Sequence, residues 1–96
     1  MNAQLPTSVA QALGGLVQSL QAEGFVPAFV GESASFGDFT VEFSDGRRQV
    51  LIVRDRGQLM VQGERSVLEP ADLWRAFDGW RSLQQSLIPW IHSTAT

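Results

Sequence analysis

Side chains able to do chemistry near neutral pH are scarce in this 96-residue chain. It has no cysteine, lysine or tyrosine, and its one histidine, His92, lies close to the C-terminus. Nucleophilic and acid–base catalysis depend on such groups. A metal site would need a histidine pair, thiolates or closely spaced carboxylates, and the sequence offers none of these patterns. The residues therefore predict a protein that is not an enzyme and that holds no metal or other cofactor.

Carboxylates are the charged groups whose positions suggest binding. Asp38, Glu42 and Asp45 lie on or beside one predicted strand. On a shared surface they would attract a basic partner and speed its encounter with the protein. The alternative is an ordinary solvated strand face, with an ion pair to Arg47 across the hairpin. We place the three acids in the predicted partner-binding set.

Two apolar side chains, Met60 and Trp74, complete the predicted partner-binding set. Three tryptophans are many for so short a chain, and tryptophan is frequent among the residues that dominate binding energy. Trp80 fits a buried stripe, whereas Trp74 falls to its side. For Trp74 and Trp90 a place in the core is the alternative interpretation.

Composition indicates a folded domain with an acidic balance. Hydrophobic residues make up 44% of the chain, charged residues 18%, and the net charge is −3. Such a composition predicts one globular domain over residues 1–96. The acidic balance argues against a nucleic-acid partner, whose binding surface should be basic.

The N-terminal segment predicts a cytoplasmic protein without a membrane partner. Its first 46 residues contain no lysine or arginine, and glutamine and serine interrupt the apolar residues of its first turns. That pattern fits neither a secretory signal nor a membrane span.

The first predicted element is a helix from Thr7 to Glu23, with apolar residues at helical spacing. Ser8 and Gln11 have the spacing of a capping box, and Gly24 is placed to end the helix. A glycine pair, Gly14 and Gly15, interrupts the pattern. Such a pair predicts a bend or the close approach of another backbone.

Two hairpins follow and share a central strand. A two-residue loop at Asp45-Gly46 would set Val41 opposite Val50, and a three-residue loop would set Val41 opposite Gln49. We prefer the first register, because it pairs apolar residues with one another. A second two-residue loop at 56–57 extends one predicted core face, made of Phe39, Val41, Phe43, Val50, Ile52, Leu59 and Val61. Before these strands, residues 25–30 predict an edge strand that contains Pro27, and residues 31–37 predict a loop.

The other face of the same strands raises the question of what covers it. Its centre is apolar, at Leu51, Val53 and Met60, and its rim is polar, at Thr40, Glu42 and Gln49. The helices at the two ends of the chain would cover one face each, or both would pack on one face and leave this patch for a partner. Both arrangements remain open at the level of sequence.

The C-terminal third predicts one or two helices. Residues 69–72, Glu-Pro-Ala-Asp, are typical of a helix start, Gly79 is a possible division, and Pro89 should bend or end the last helix. Leu73, Phe77, Trp80, Leu87 and Ile91 lie on one helical stripe. The whole chain therefore predicts an α+β fold: an N-terminal helix, an antiparallel meander of three or four strands, and one or two C-terminal helices.

Residues Ser35 to Val61 carry a resemblance to a known group. The order SFGDFTVEF, IVRDRG and QLMV resembles a pattern in small bacterial immunity proteins of polymorphic or contact-dependent toxin systems. The resemblance implies a non-enzymatic cytoplasmic inhibitor that occludes a cognate toxin, with acidic residues facing a basic active site.

Two other functions remain as alternatives. A small acidic chaperone of the secretion type would act as a homodimer and hold a partner segment on Leu51, Val53 and Met60. A nucleotide or nucleic-acid binder would stack bases on tryptophan and contact phosphate through a cluster of arginines, namely Arg47, Arg48, Arg54, Arg56 and Arg65.

Overall fold

The computed structural model of the protein describes residues 5–32 and 38–94. It confirms the predicted α+β class, because helices precede and follow a four-stranded antiparallel sheet with strand order β1-β2-β3-β4. The elements are α1 (Thr7–Leu13), α2 (Leu16–Ala22), β1 (Val26–Glu32), β2 (Phe39–Ser44), β3 (Gln49–Asp55), β4 (Gln58–Gln62), α3 (Arg65–Leu68) and α4 (Trp80–Thr94).

The predicted single N-terminal helix is wrong, because the chain breaks into α1 and α2 at the glycine pair. Gly14 adopts φ 49° and ψ −133°, a conformation that is strained for any residue with a side chain. The indole of Trp80 lies against both glycines. A Cβ atom at Gly15 would lie 2.8 Å from Cη2 of that ring, and one at Gly14 would overlap it. The close neighbour is thus a side chain and not another backbone.

The start of α1 differs from the predicted cap, and the end of α2 agrees with it. The capping box of Ser8 and Gln11 does not form, because Pro6 is the N-cap residue and no side chain bonds there. Instead, the Ser8 hydroxyl donates to Oε1 of Glu32 at 3.3 Å. Gly24, at φ 87°, follows the last residue of α2 and its cap, as predicted.

The first hairpin has a register that differs from the predicted one. Its strands end with Ser44 opposite Gln49, and Val41 faces Ile52 where the sequence predicted Val50. The error is two residues. An even shift keeps every side chain on its predicted face, so the core face is unchanged.

The cause of the shift is the carboxylate of Asp45. It accepts hydrogen bonds from the backbone N–H groups of Arg47 at 2.8 Å and Arg48 at 2.6 Å. These bonds stabilise a turn over residues 45–48, in which Gly46 has a positive φ and Asp45 does not. The predicted type I′ turn needs a positive φ at both Asp45 and Gly46.

The second hairpin has the predicted register. Arg56 and Gly57 adopt φ values of 53° and 83°, and Arg54 lies opposite Leu59. Positive φ at both turn residues matches the twist of the strands.

Strand β1 is an edge strand, as predicted, and its pairing with β2 is irregular between Pro27 and Phe29. The strand extends through Gly31 and Glu32, which the sequence assigned to a loop. The rest of that predicted loop, residues 33–37, lies outside the described residues.

The core lies on one side of the sheet. All seven residues of the predicted core face are buried. They form one cluster with buried side chains of α1, α2 and α4, namely Val9, Leu13, Leu16, Leu20, Leu83, Leu87 and Ile91. Helix α2 is also joined to α4, where the Ser19 hydroxyl donates to Oε1 of Gln84 at 2.8 Å. Helices from both ends of the chain therefore share one face of the sheet, which decides between the two arrangements left open by the sequence.

The predicted helix start at residues 69–72 is wrong. The short helix α3 precedes these residues, which form turns in which Asp72 has φ 60°. Leu73 and Phe77 are buried, but they come from a segment without helical structure. Phe77 pairs with Leu59 as an isolated antiparallel bridge. The four-residue spacing between Leu73 and Phe77, which suggested a helix, therefore belongs to a segment that crosses the edge of the sheet.

The last helix begins directly after Gly79 and includes Pro89 in its interior. The proline was predicted to bend or end the helix, and the helix continues past it to Thr94. Within the described ranges, no helix combines the length and the apolar composition needed to cross a membrane.

Candidate functional site

The face of the sheet opposite the core is the candidate site, and we call it the open face. Two cross-strand rows define it: Phe29, Glu42, Leu51 and Gln62 form one row, and Gly31, Thr40, Val53 and Met60 form the other. None of these side chains belongs to the core cluster.

The apolar centre of the open face is accessible. Leu51, Val53 and Met60 are partly exposed, and Phe29 is 55% exposed. Two of these residues lie directly opposite each other, since Val53 pairs with Met60. Side chains that are adjacent across strands pack together, so Leu51, Val53 and Met60 make one apolar patch. Phe29, on the edge strand β1, is separated from this patch by Thr40 and Glu42 of β2, and it lines the same hollow as Val53 and Met60.

Phe29 is the member of this surface that sequence reasoning missed. In a regular strand, residues two positions apart point to the same side. Phe29 would then point to the core side, as the buried Pro27 does. The irregularity after Pro27 shifts the strand so that Phe29 pairs with Glu42 on the open face. The proline was the available signal, because prolines within sheets mark edges and bulges.

The charges of the open face are mainly negative. Alternation along the strands places Glu42 and Asp55 on it, and Asp38 precedes β2 at the same end as Asp55. Arg54 has the opposite parity along β3 and lies opposite Leu59, but it also lines the hollow at this end of the face. Over the described residues of this face, acids predominate. The surface is therefore suited to a partner that is both apolar and basic.

Asp38 borders the open face and is also bonded to the second hairpin turn. Its Oδ1 accepts a hydrogen bond from the backbone N–H of Arg56 at 3.1 Å. This contact ties the start of β2 to the second hairpin turn. A shallow hollow here includes Asp38 among its lining residues, together with Phe29, Val53 and Met60.

Asp45 does not share this surface with Asp38. The two residues flank β2 at opposite ends, roughly 23 Å apart at the usual rise of a strand. The Asp45 carboxylate is engaged by the turn N–H groups and by Nε of Arg48 at 3.0 Å. Hydrogen bonds from the backbone N–H groups of Arg48 and Arg47 are the main reason that the pKa of Asp45 falls to about 2.

Arg48 gives this turn a connection to the last helix. Its Nη1 donates to the backbone carbonyl of Ile91 in α4 at 3.0 Å, and its guanidinium lies 5.0 Å from the centre of the Phe25 ring. The role of Asp45 in the structure is thus to hold the turn and the arginine that joins it to α4.

Asp45→Asn is expected to make the protein less sensitive to acid. The folded pKa of Asp45, about 2, lies below its ordinary value of 3.8, so the charged carboxylate stabilises the fold above pH ~4. That contribution is lost as the pH falls from ~4 towards 2. Urea unfolding at a series of pH values should show a smaller loss of stability across this window for the variant than for the wild type. An identical pH dependence of both proteins would contradict the assignment.

Met60 and Trp74 are brought to one groove beside the open face. The groove has a volume of about 530 Å³ and runs along β4, and its lining includes Met60, Val61, Trp74 and Ala76. Trp74 is 46% exposed, and the guanidinium of Arg65 lies 5.8 Å from its ring centre. Met60 therefore belongs both to the open face and to the groove, while Trp74 borders the groove alone.

Of the five residues predicted to bind a partner, the structure places Asp38, Glu42 and Met60 on one surface. Trp74 is adjacent to it, and Asp45 lies at the far end of β2. Within residues 5–32 and 38–94, no group of three His, Cys, Asp or Glu side chains is arranged to hold a metal ion. The chemistry available on this surface is apolar contact combined with negative charge.

Comparison of the chain with protein-family models, with curated proteins and with solved structures found no match.

Proposed function

We propose that the protein is a non-enzymatic protein-binding module that binds its partner on the open face of the sheet. The observation that carries this proposal is the placement of all the described helices of the core on one side of the sheet. The other side keeps Phe29, Leu51, Val53 and Met60 accessible. Exposed contiguous apolar surface with a polar rim is typical of sites of protein association.

The chemistry of the open face favours an inhibitor over other protein-binding functions. The predominance of acids would steer a basic surface towards the face, and the apolar centre would then exclude water from the contact. An inhibitor that occludes the basic active site of a cognate bacterial toxin has these requirements. The Ser35 to Val61 resemblance is consistent with this role, and the cytoplasm is the expected location.

A secretion-type chaperone is the second candidate, since it would use the same apolar centre. It differs in its assembly, because it would act as a homodimer and hold an extended segment of a secreted protein. Sizing of the purified protein separates the candidates. A monomer that forms a one-to-one complex with a basic partner supports the inhibitor, and a stable dimer supports the chaperone.

The double substitution Val53→Arg and Met60→Arg is expected to abolish partner binding without unfolding the protein. Two cations would interrupt the apolar centre and repel a basic partner. The measurement is capture of partners from the native host lysate, with sizing and mass spectrometry of the complex. Val67→Arg is the matched control, because Val67 is 48% exposed on α3, outside the open face.

Retention of the same one-to-one complex by the double variant would exclude the open face as the binding surface. Loss of the complex in the Val67→Arg control as well would show that added charge anywhere is sufficient, which would also contradict the proposal.

A further inference from the structure

The outer edge of β4 offers backbone groups for pairing. Strand β4 is the last strand of the sheet, and its inner edge is paired with β3. On the outer side, the Leu59 N–H donates to the Phe77 carbonyl at 2.9 Å and the Phe77 N–H donates to the Leu59 carbonyl at 2.8 Å. Backbone groups alternate between the two edges of a strand. Val61 therefore also directs its N–H and C=O to the outer edge.

The segment that pairs with Leu59 does not continue the pairing. An antiparallel continuation from Phe77 would bring Arg75 opposite Val61, but residues 74 and 75 form bends and turn away. In residues 5–32 and 38–94, no backbone group from another segment bonds to Val61 on this edge. An edge residue with a free N–H and C=O is a template for another strand.

The gap between β4 and this diverging segment is the groove described above. Trp74 and Met60 supply apolar surface to it, and Val61 supplies the backbone groups at its side. Arg75 also borders the groove, but its guanidinium is bound to Asp72 at 3.0 Å and lies 4.0 Å from the Phe77 ring centre. The groove thus combines one open position of a β-ladder with an exposed tryptophan. A volume of about 530 Å³ is within the usual range of ligand sites, ~300–1,000 Å³.

We propose that the groove binds an extended polypeptide segment of a partner protein, which adds to the sheet as a fifth strand beside β4. The segment pairs with the N–H and C=O of Val61, and a neighbouring apolar side chain of the segment packs on Trp74 and Met60. Main-chain pairing provides affinity in this mode of recognition, and the pocket for the alternate side chain provides specificity. The site shares Met60 with the open face, but its backbone pairing at Val61 and its contact with Trp74 do not depend on the partner assigned to that face.

The first test measures amide hydrogen exchange residue by residue in the free protein. The Val61 amide is expected to exchange much faster than those of Met60 and Gln62, which lie on the β3 side of the strand, and of Leu59, which is paired with Phe77. Protection of Val61 equal to that of its neighbours would overturn the proposal, since the edge would already be paired. A dimer whose Val61 amide becomes protected with rising concentration would also overturn it, because a second copy would then occupy the edge.

The second test selects ligands from a displayed library of random dodecapeptides against the folded wild-type chain. Enriched peptides are expected to slow exchange of the Val61 amide on binding. N-methylation of the peptide residue opposite Val61 should weaken binding at least about tenfold, because it removes the donor and introduces a clash. N-methylation of the next residue, whose N–H points away, should leave the affinity unchanged and serves as the matched control.

Variants of the protein complete the test. Trp74→Ala should weaken the selected peptides about tenfold or more, and Val67→Ala, which removes a similarly exposed apolar side chain elsewhere, should not. Failure to enrich any peptide would overturn the proposal. Peptides that bind at Trp74 but tolerate N-methylation at every position would overturn it as well, since they would identify a simple apolar pocket.

Discussion

Ile52→Asp is expected to unfold the protein, whereas Val53→Asp, one residue later on the same strand, is expected to leave it folded. Ile52 is fully buried in the core, and Val53 is partly exposed on the open face. Aspartate at position 52 would remove a large apolar contact and bury an unpaired charge. We expect a cost of roughly 5 kcal/mol or more, which is comparable with the whole stability of a domain of this size.

The same substitution at Val53 should cost only about 1 kcal/mol, from the lower strand propensity of aspartate. Near-ultraviolet circular dichroism and urea unfolding of the two variants, side by side, provide the measurement. If Val53→Asp also unfolds the chain, the second face is part of the core and the proposed binding surface does not exist. If both variants stay folded, the assignment of the core face is itself wrong.

Gly14→Ala is expected to destabilise the protein by roughly 2–6 kcal/mol. Its φ and ψ angles lie in a region that disfavours residues with a side chain, at a cost of about 1–3 kcal/mol. The new methyl group would also overlap the Trp80 indole, and displacing a well-packed ring adds about 1–3 kcal/mol. Urea unfolding followed by circular dichroism measures the total.

Two controls separate these causes. Gly57→Ala carries a positive φ of 83° but meets no atom within 4 Å, so it reports the conformational cost alone. The double variant Gly14→Ala with Trp80→Ala tests the contact, because the two changes should be less than additive if the ring and the methyl compete for the same space. Gly14→Ala and Gly57→Ala could lose the same free energy of unfolding, with full additivity in the double variant. That result would show that contact with the Trp80 ring contributes nothing to the cost of a side chain at position 14.

The sequence was sufficient for the fold class and for the direction of each side chain on strands β2, β3 and β4. Alternation of apolar and polar residues decided those directions, and burial of one face makes such a pattern reliable. It was insufficient for the first register, where the Asp45 carboxylate bonds two backbone N–H groups and lengthens the turn. An Asp-Gly pair supports both turns, and only the surrounding contacts, such as that of Arg48 with Ile91, select between them.

The C-terminal region shows a different limit of sequence interpretation. Leu73 and Phe77 have helical spacing and are buried, but a segment that crosses the edge of the sheet buries the same two residues without forming a helix. Spacing alone cannot separate these cases when the apolar positions are few. The groove beside Trp74 results from this crossing, so it could not be foreseen from the residues that line it.

For the candidate site, the sequence predicted the apolar residues correctly, but it did not predict which acids lie together on one surface. The apolar centre at Leu51, Val53 and Met60 was visible in the alternation, and the structure leaves it accessible. The grouping of the three acids was not determined by their spacing along the chain, because one of them is bound by a turn at the opposite end of β2.

The position of α4 after the four strands has a consequence for synthesis on the ribosome. The strands are sheet neighbours in the order in which they are made, so they can pair as they emerge. Helices α1 and α2 cover only part of the core face until Leu83, Leu87 and Ile91 have left the exit tunnel, because α4 supplies the remaining contacts. During that interval the nascent sheet exposes apolar surface on both faces. While α4 is being made, the nascent sheet should therefore be prone to association and should benefit from a chaperone at the ribosome.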